Sequence, residues 1–170
     1  MEPTYVIGME EIAWGTLLLA ITMALHGLGM LGTLRVTTRL KGRLRQPPTL
    51  SVGLGVLILS SWLIAFVHLV EVSVWAGFFT WKHAMPNPSV AYYFALLDYT
   101  TLGSDYRLPQ NWRLLAGMIA ISGLMTFAWS TGVLLSLVQK FQDEELHRIA
   151  QRAEPGKKRD GNTPPPSQCE

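Results

Sequence analysis

Three long apolar runs divide the chain, and a shorter fourth lies between the second and third. Residues 12–34 (IAWGTLLLAITMALHGLGMLGTL) hold no Lys, Arg, Asp or Glu. As a helix they would reach ~34 Å, enough to cross the hydrocarbon core of a bilayer. Residues 50–79 predict a second helix of ~45 Å, longer than a bilayer needs and so tilted or projecting. Residues 112–138 predict a third, with only Arg113 charged, at one end. Its small and polar residues (Gly117, Ser122, Gly123, Ser130, Thr131, Gly132) suit close helix contact or a face on water. The fourth run, Tyr92 to Tyr106 (YYFALLDYTTLGSDY), is too short to span. It is helix-competent as far as Tyr99 and then meets Thr100-Thr101-Leu102-Gly103. Non-helical backbone cannot face lipid, so a turn at that depth has to line a polar path within protein.

The charges crowd into the connections. Residues 35–48 carry five Lys or Arg and no acid, which keeps a basic loop at 35–49 on the cytoplasmic side. Pro47-Pro48 are expected to stop the first helix. The acidic segment 1–11 (MEPTYVIGMEE) lacks the basic start of a signal peptide, so the first apolar run is expected to be retained. Residues 139–154 predict a charged cytoplasmic helix, and the Pro-rich polar tail 155–170 is expected to be disordered. The topology is then N-terminus outside, loop 35–49 inside, Tyr92–Tyr106 at the outer face and C-terminus inside, in a cell (inner) membrane. Pro86 and Pro88 break the second helix, and Ser89 is placed to cap a short helix over 89–99.

Composition agrees with this pattern. Of 170 residues 49% are hydrophobic and 15% charged, against ~25% charged in an ordinary soluble domain. The basic segment 35–45 is placed to meet anionic lipids, and topology explains it better than nucleic-acid binding does. Cys169 is the single cysteine, which leaves no intramolecular disulfide and no cysteine metal site. No nucleophile with a base, no carboxylate pair and no phosphate-cradling loop is evident, so the chain is not read as an enzyme and no cofactor is expected.

Three ionisable residues fall inside the apolar runs, where they are expensive. His26 reads as a histidine bonding a neighbouring helix, with a proton or ion site as the sharper alternative. His68 and Glu71, three apart, share a helix face with Ser61, Ala65 and Trp75. They read as a structural polar patch or as a proton-sensing or cation-binding pair. A proton- or metal-responsive protein built on His26, His68 and Glu71 would require all three to converge between helices. Thr16, Ala20 and Ala24 form a small-residue face on which another helix could pack.

The run Tyr99-Thr100-Thr101-Leu102-Gly103, then Trp112-Arg113-Leu114-Leu115 and Ala128-Trp129-Ser130-Thr131, gives residues 56–138 a resemblance to the potassium-channel pore domain. The chain looks most like small bacterial channels with one helix added before that unit. The resemblance implies an all-α integral membrane protein: three transmembrane helices plus a re-entrant pore helix and filter loop, assembled as a homotetramer. The pore domain would be residues 50–138, with outer helix 50–79, pore helix 89–99, filter 100–105 and inner helix 112–138. It implies K+ conduction along Thr100, Thr101, Leu102, Gly103, Ser104 and Asp105, with Asp98 and Tyr99 supporting the filter and Gly123 as a gate hinge. The family filter reads T-T-(V/L/I)-G-Y-G-D, and here Ser104 and Asp105 replace its aromatic and second glycine. An altered, less selective filter is therefore expected, with Asp105 able to gather Na+ or a divalent cation at the outer mouth. A non-selective monovalent cation channel and a non-conducting scaffold or sensor subunit are the alternatives.

Overall fold

The computed structural model describes residues 5–43 and 50–153. Helix α1 runs Met9–Arg43, α2 Leu50–Trp81, the short α3 Pro88–Tyr99 and α4 Leu114–Ala153, with a 3-10 turn at Gln110–Trp112 before α4. Among the described residues three helices are long and apolar enough to cross a membrane, Met9–Leu40, Ser51–Trp81 and Gln110–His147. The protein is an all-α, multi-pass membrane protein. The expected tail 155–170, the Pro47-Pro48 stop and Arg45 lie outside the described residues.

The helices outrun their apolar cores. α1 continues through residues 35–43, which the charge pattern read as loop. Arg, Lys and Leu are good helix formers, and charge alone does not end a helix. α4 likewise joins the expected inner helix and the charged segment after it without a break. α3 is capped by Asn87, whose side chain accepts from the Val90 amide at 2.9 Å, with Pro88 in the first turn. Ser89 therefore lies inside the helix rather than at its cap. Asn accepts this bond as well as Ser does, and proline is pre-set for the position that follows.

Buried positions follow the helical period. On α1 the stripe is Glu11, Gly15, Leu18, Thr22, His26, Met30, Thr33 and Thr37. Thr16, Ala20 and Ala24 point away from the other helices of the chain. Glu11 and His26 decide the rotation, because they need partners that lipid cannot offer, whereas the Thr22 hydroxyl bonds the Leu18 carbonyl of its own helix. On α2 the stripe runs through Ser60, Ile64, His68, Glu71, Val72 and Trp75, while Ser61 and Ala65 face outward. The Ser60 hydroxyl meets that of Thr37 at 3.1 Å, joining α1 to α2. The apolar core lies around α3: Trp75, Phe79, Ala91, Phe94, Ala95, Tyr99, Leu115 and Ile119 are almost wholly enclosed. The outward surface of α2 carries large apolar side chains, with Trp62 73% and Phe66 63% exposed, as expected of a helix facing lipid or a neighbouring subunit.

Where α1 begins, one carboxylate joins three segments. Glu11 is 1% exposed. It accepts from the Gly8 amide at 3.2 Å, the Tyr5 hydroxyl at 3.1 Å and the Leu114 amide at the start of α4 at 3.0 Å. An anion at two helix N-termini answers unpaired amides and both dipoles. Nearby, the Lys82 ammonium lies 4.7 Å from the ring centres of Trp14 and Trp81 and 5.4 Å from that of Trp112. Tryptophan and lysine together at one end of apolar helices mark a membrane–water boundary. Replacing Glu11 with alanine should cost about 1.5–3 kcal/mol, as for a charged hydrogen-bond acceptor. The check is thermal unfolding in detergent: Glu11→Ala should lower the midpoint by several degrees, and Glu11→Gln, which keeps one acceptor oxygen, by less.

Candidate functional site

Among the described residues positive φ occurs at His83 (φ 51°), after α2, and in the turn after α3. Thr101 has φ 62° and Gly103 φ 76°, and Leu102 between them is not in the positive region. Gly103 adopts that conformation without strain, whereas threonine at positive φ is disfavoured by its branched Cβ. Alternation of the sign of φ lets successive peptide dipoles face one way. The turn is tied back to the helix it leaves: the amides of Thr100, Thr101 and Leu102 bond the carbonyls of Leu96, Asp98 and Leu97 at 2.9–3.1 Å. The Thr100 hydroxyl bonds the Leu96 and Leu97 carbonyls, each at 3.0 Å. Thr101, Leu102 and Gly103 are exposed, Leu102 by 77%. Ser104 accepts from the Tyr106 amide at 3.1 Å, and Asp105 is exposed.

Asp98 is half-buried. Its Oδ2 has no hydrogen-bond partner among the described residues, and the amides of Thr100, Thr101 and Leu102 bond helix carbonyls instead. It lines an open pocket with Gly103, Ser104, Arg107 and Arg113.

Tyr99, the last residue of α3, directly precedes the turn. It is 1% exposed. Its hydroxyl donates to Glu71 Oε2 on α2 in a short hydrogen bond, meets Thr126 Oγ1 on α4 at 2.5 Å and lies 2.9 Å from His68 Nδ1. Around this hydroxyl the three candidate ionisable residues converge. His26 Nδ1 on α1 is 2.8 Å from Glu71 Oε1. His68 Nδ1 is 3.4 Å from Glu71 Oε2. Ser130 Oγ on α4 stands 3.0 Å from His68 Nε2 and 3.3 Å from His26 Nε2. Aromatic rings close the surroundings, with Phe127 4.5 Å from His68 and Trp129 5.4 Å from His26, centre to centre. His26 and Glu71 are fully enclosed, and His68 is 8% exposed. The donor atoms of His26, His68 and Glu71 lie within 4.8 Å of one another. These atoms are close enough to hold a metal ion, and they are also in direct hydrogen-bond contact with one another.

α4 presents two faces. Ser122, Gly123, Thr126 and Ser130 are buried against α3 and the cluster; Gly117, Thr131 and Gly132 are exposed. Spacing alone did not mark Thr126, which is apparent only once Tyr99 is placed. Gly123 is where α4 passes closest to the end of α3: a Cβ there would overlap the carbonyl oxygen of Tyr99. The helix is continuous through this position, so the glycine serves close approach whatever its part in gating.

The two effects at Gly123 have opposite signs. In an open helix alanine is better than glycine by roughly 0.5–1 kcal/mol. Overlap with backbone costs typically about 1–3 kcal/mol. Gly123→Ala should therefore lower the unfolding midpoint, measured in detergent against wild type; a rise would mean that the position is a hinge without steric duty.

No curated protein and no solved structure matches the chain. The family model described as an ion channel matches residues 54–140, which takes in most of α2, all of α3, the turn and the apolar part of α4. With the short α3, its exposed turn and the long apolar helices on either side as its matched region, the chain belongs to the ion channel family.

Proposed function

We propose that the chain is one subunit of a homotetrameric cation channel in which residues Thr100–Asp105 of four copies line the ion path, with K+ as the first permeant ion. The observation that carries this reading is the exposed turn at Thr101–Gly103, with φ of alternating sign, held from behind by the buried Tyr99. One chain supplies one wall of such a path, and a path needs carbonyl oxygens on all sides to replace an ion's water. The face left uncovered supports assembly. Leu102, Tyr93 on α3, and Ile121, Leu124 and Met125 on α4 are all exposed in the single chain. The basic segment 35–45 favours a cytoplasmic position for the α1–α2 connection, which puts Asp105 at the outer mouth and the N-terminus outside.

In this reading the inner rings come from Thr101, Leu102 and Gly103, while Ser104 and Asp105 form a wider acidic entrance. Four carboxylates at a mouth raise the local cation concentration, an effect that salt screens. Protein in a planar bilayer, with K+ on one side and Na+ on the other, should reverse near the K+ equilibrium potential. Reversal near zero would make the pore non-selective, and absence of flux from correctly assembled tetramers would favour a scaffold subunit. Asp105→Asn should reduce single-channel K+ current severalfold at low ionic strength and hardly at all at high, with reversal unchanged. An equal loss at both strengths would remove Asp105 from the mouth.

A further inference from the structure

We propose that His26, on the helix preceding the matched channel region, is a positioning residue for the ion path: through Glu71 it holds Tyr99 and so the turn beginning at Thr100, and its cluster keeps one shared proton. This rests on the channel reading above.

The path of force is short. His26 Nδ1 contacts Glu71 Oε1 at 2.8 Å. The other oxygen of the same carboxylate receives the Tyr99 hydroxyl. Tyr99 is the last residue of α3 and is followed directly by Thr100. Without His26, Glu71 Oε1 would be an unpaired buried acceptor, and the carboxylate would be free to turn from Tyr99.

The proton follows from counting hydrogens. Glu71 takes one from His26 Nδ1 and one from Tyr99. The Tyr99 oxygen, having given its own hydrogen, accepts from His68 Nδ1. Both imidazoles thus carry hydrogen on Nδ1, and in their neutral forms both present a bare Nε2 to Ser130 Oγ. A hydroxyl has one hydrogen and can serve only one of them. One added proton closes the set: the charged ring donates through Nε2 to the Ser130 oxygen, and Ser130 donates to the other ring. With Glu71 ionised the cluster is then neutral, and it stays neutral if that proton sits on the carboxyl instead. A neutral set is what a low-dielectric interior favours.

The ionisable groups facing this point are His26 from α1, His68 and Glu71 from α2 and Tyr99 from α3. Among the described residues α4 contributes the hydroxyls of Thr126 and Ser130 and no ionisable group. Alkali removes the shared proton, leaving a buried negative charge and a bare Nε2. Acid adds a second proton and leaves a positive charge. Either change loosens Tyr99, so the turn is held best while the cluster is neutral.

The test follows K+ flux from liposomes and thermal unfolding in detergent, each from acid to alkaline pH over the range in which the wild type stays folded. Wild type should show a pH-dependent flux and midpoint. His26→Asn keeps an amide donor near Nδ1 but cannot carry the proton, and should flatten both profiles. His147→Gln, at an exposed histidine on α4, should keep the wild-type profiles. Equal profiles for wild type and His26→Asn overturn the proposal. If wild type passes no ions the channel reading fails, and the unfolding profile still decides: flattened in His26→Asn it supports the shared proton, unchanged it overturns it. Should His26→Asn not fold, Ser130→Ala, which removes only the bridging hydroxyl, replaces it with the same two outcomes. Stabilisation of wild type by Zn2+, abolished in His26→Asn, overturns the proton assignment in favour of a metal site.

Discussion

A polar atom inside a bilayer has to find its partner within protein, and that requirement sets the rotation of every helix here. α1 offers two candidate faces, one small and apolar through Thr16, Ala20 and Ala24, the other carrying Glu11, Thr22 and His26. The second is buried. Apolar contact with lipid and with another helix differ little in free energy, but an unpaired carboxylate or imidazole costs several kcal/mol. Glu11 settles one end of α1 and His26 the middle, and the direct Thr37–Ser60 hydroxyl contact lies farther along.

The same requirement links α1 to the channel unit. The matched family region begins at residue 54, so α1 lies wholly outside it. Yet α1 supplies the carboxylate at the start of α4 and the imidazole on Glu71. Both contacts reach elements that flank the turn, one at the α4 N-terminus and one through Tyr99. An added helix attached by lipid-like contacts could slide or be lost. One attached by buried charged hydrogen bonds is fixed in depth and rotation, because a shift of one residue would break several of them together.

Tyr99 shows how positioning and close approach depend on one another. Its hydroxyl is held by Glu71, His68 and Thr126, and its carbonyl oxygen sits against Gly123. The hydroxyl reaches Thr126 only because α4 lies close to α3, and α4 lies close because residue 123 has no side chain. A bulkier residue at 123 would act on the turn although it touches none of its side chains.

By itself the sequence determined the architecture: three spans, a short helix between the second and third, and a Thr-Thr-Leu-Gly turn. Those features are written in run length and composition, since a bilayer fixes how many apolar residues a span needs. Helix ends were less legible, because α1 and α4 continue through charged residues that favour helix as much as loop. Residue type also flagged His26, His68 and Glu71, because ionisable groups are costly in apolar runs. Their meaning was not legible. His26 and Glu71 are 45 residues apart, and spacing within α2 could relate only His68 to Glu71. Tertiary structure alone decided that both histidines share Ser130, that Tyr99 closes the set, and that Gly123 meets a carbonyl. Hydrogen-bond partners and close contacts depend on how helices are rotated against one another, and local sequence patterns do not encode that rotation.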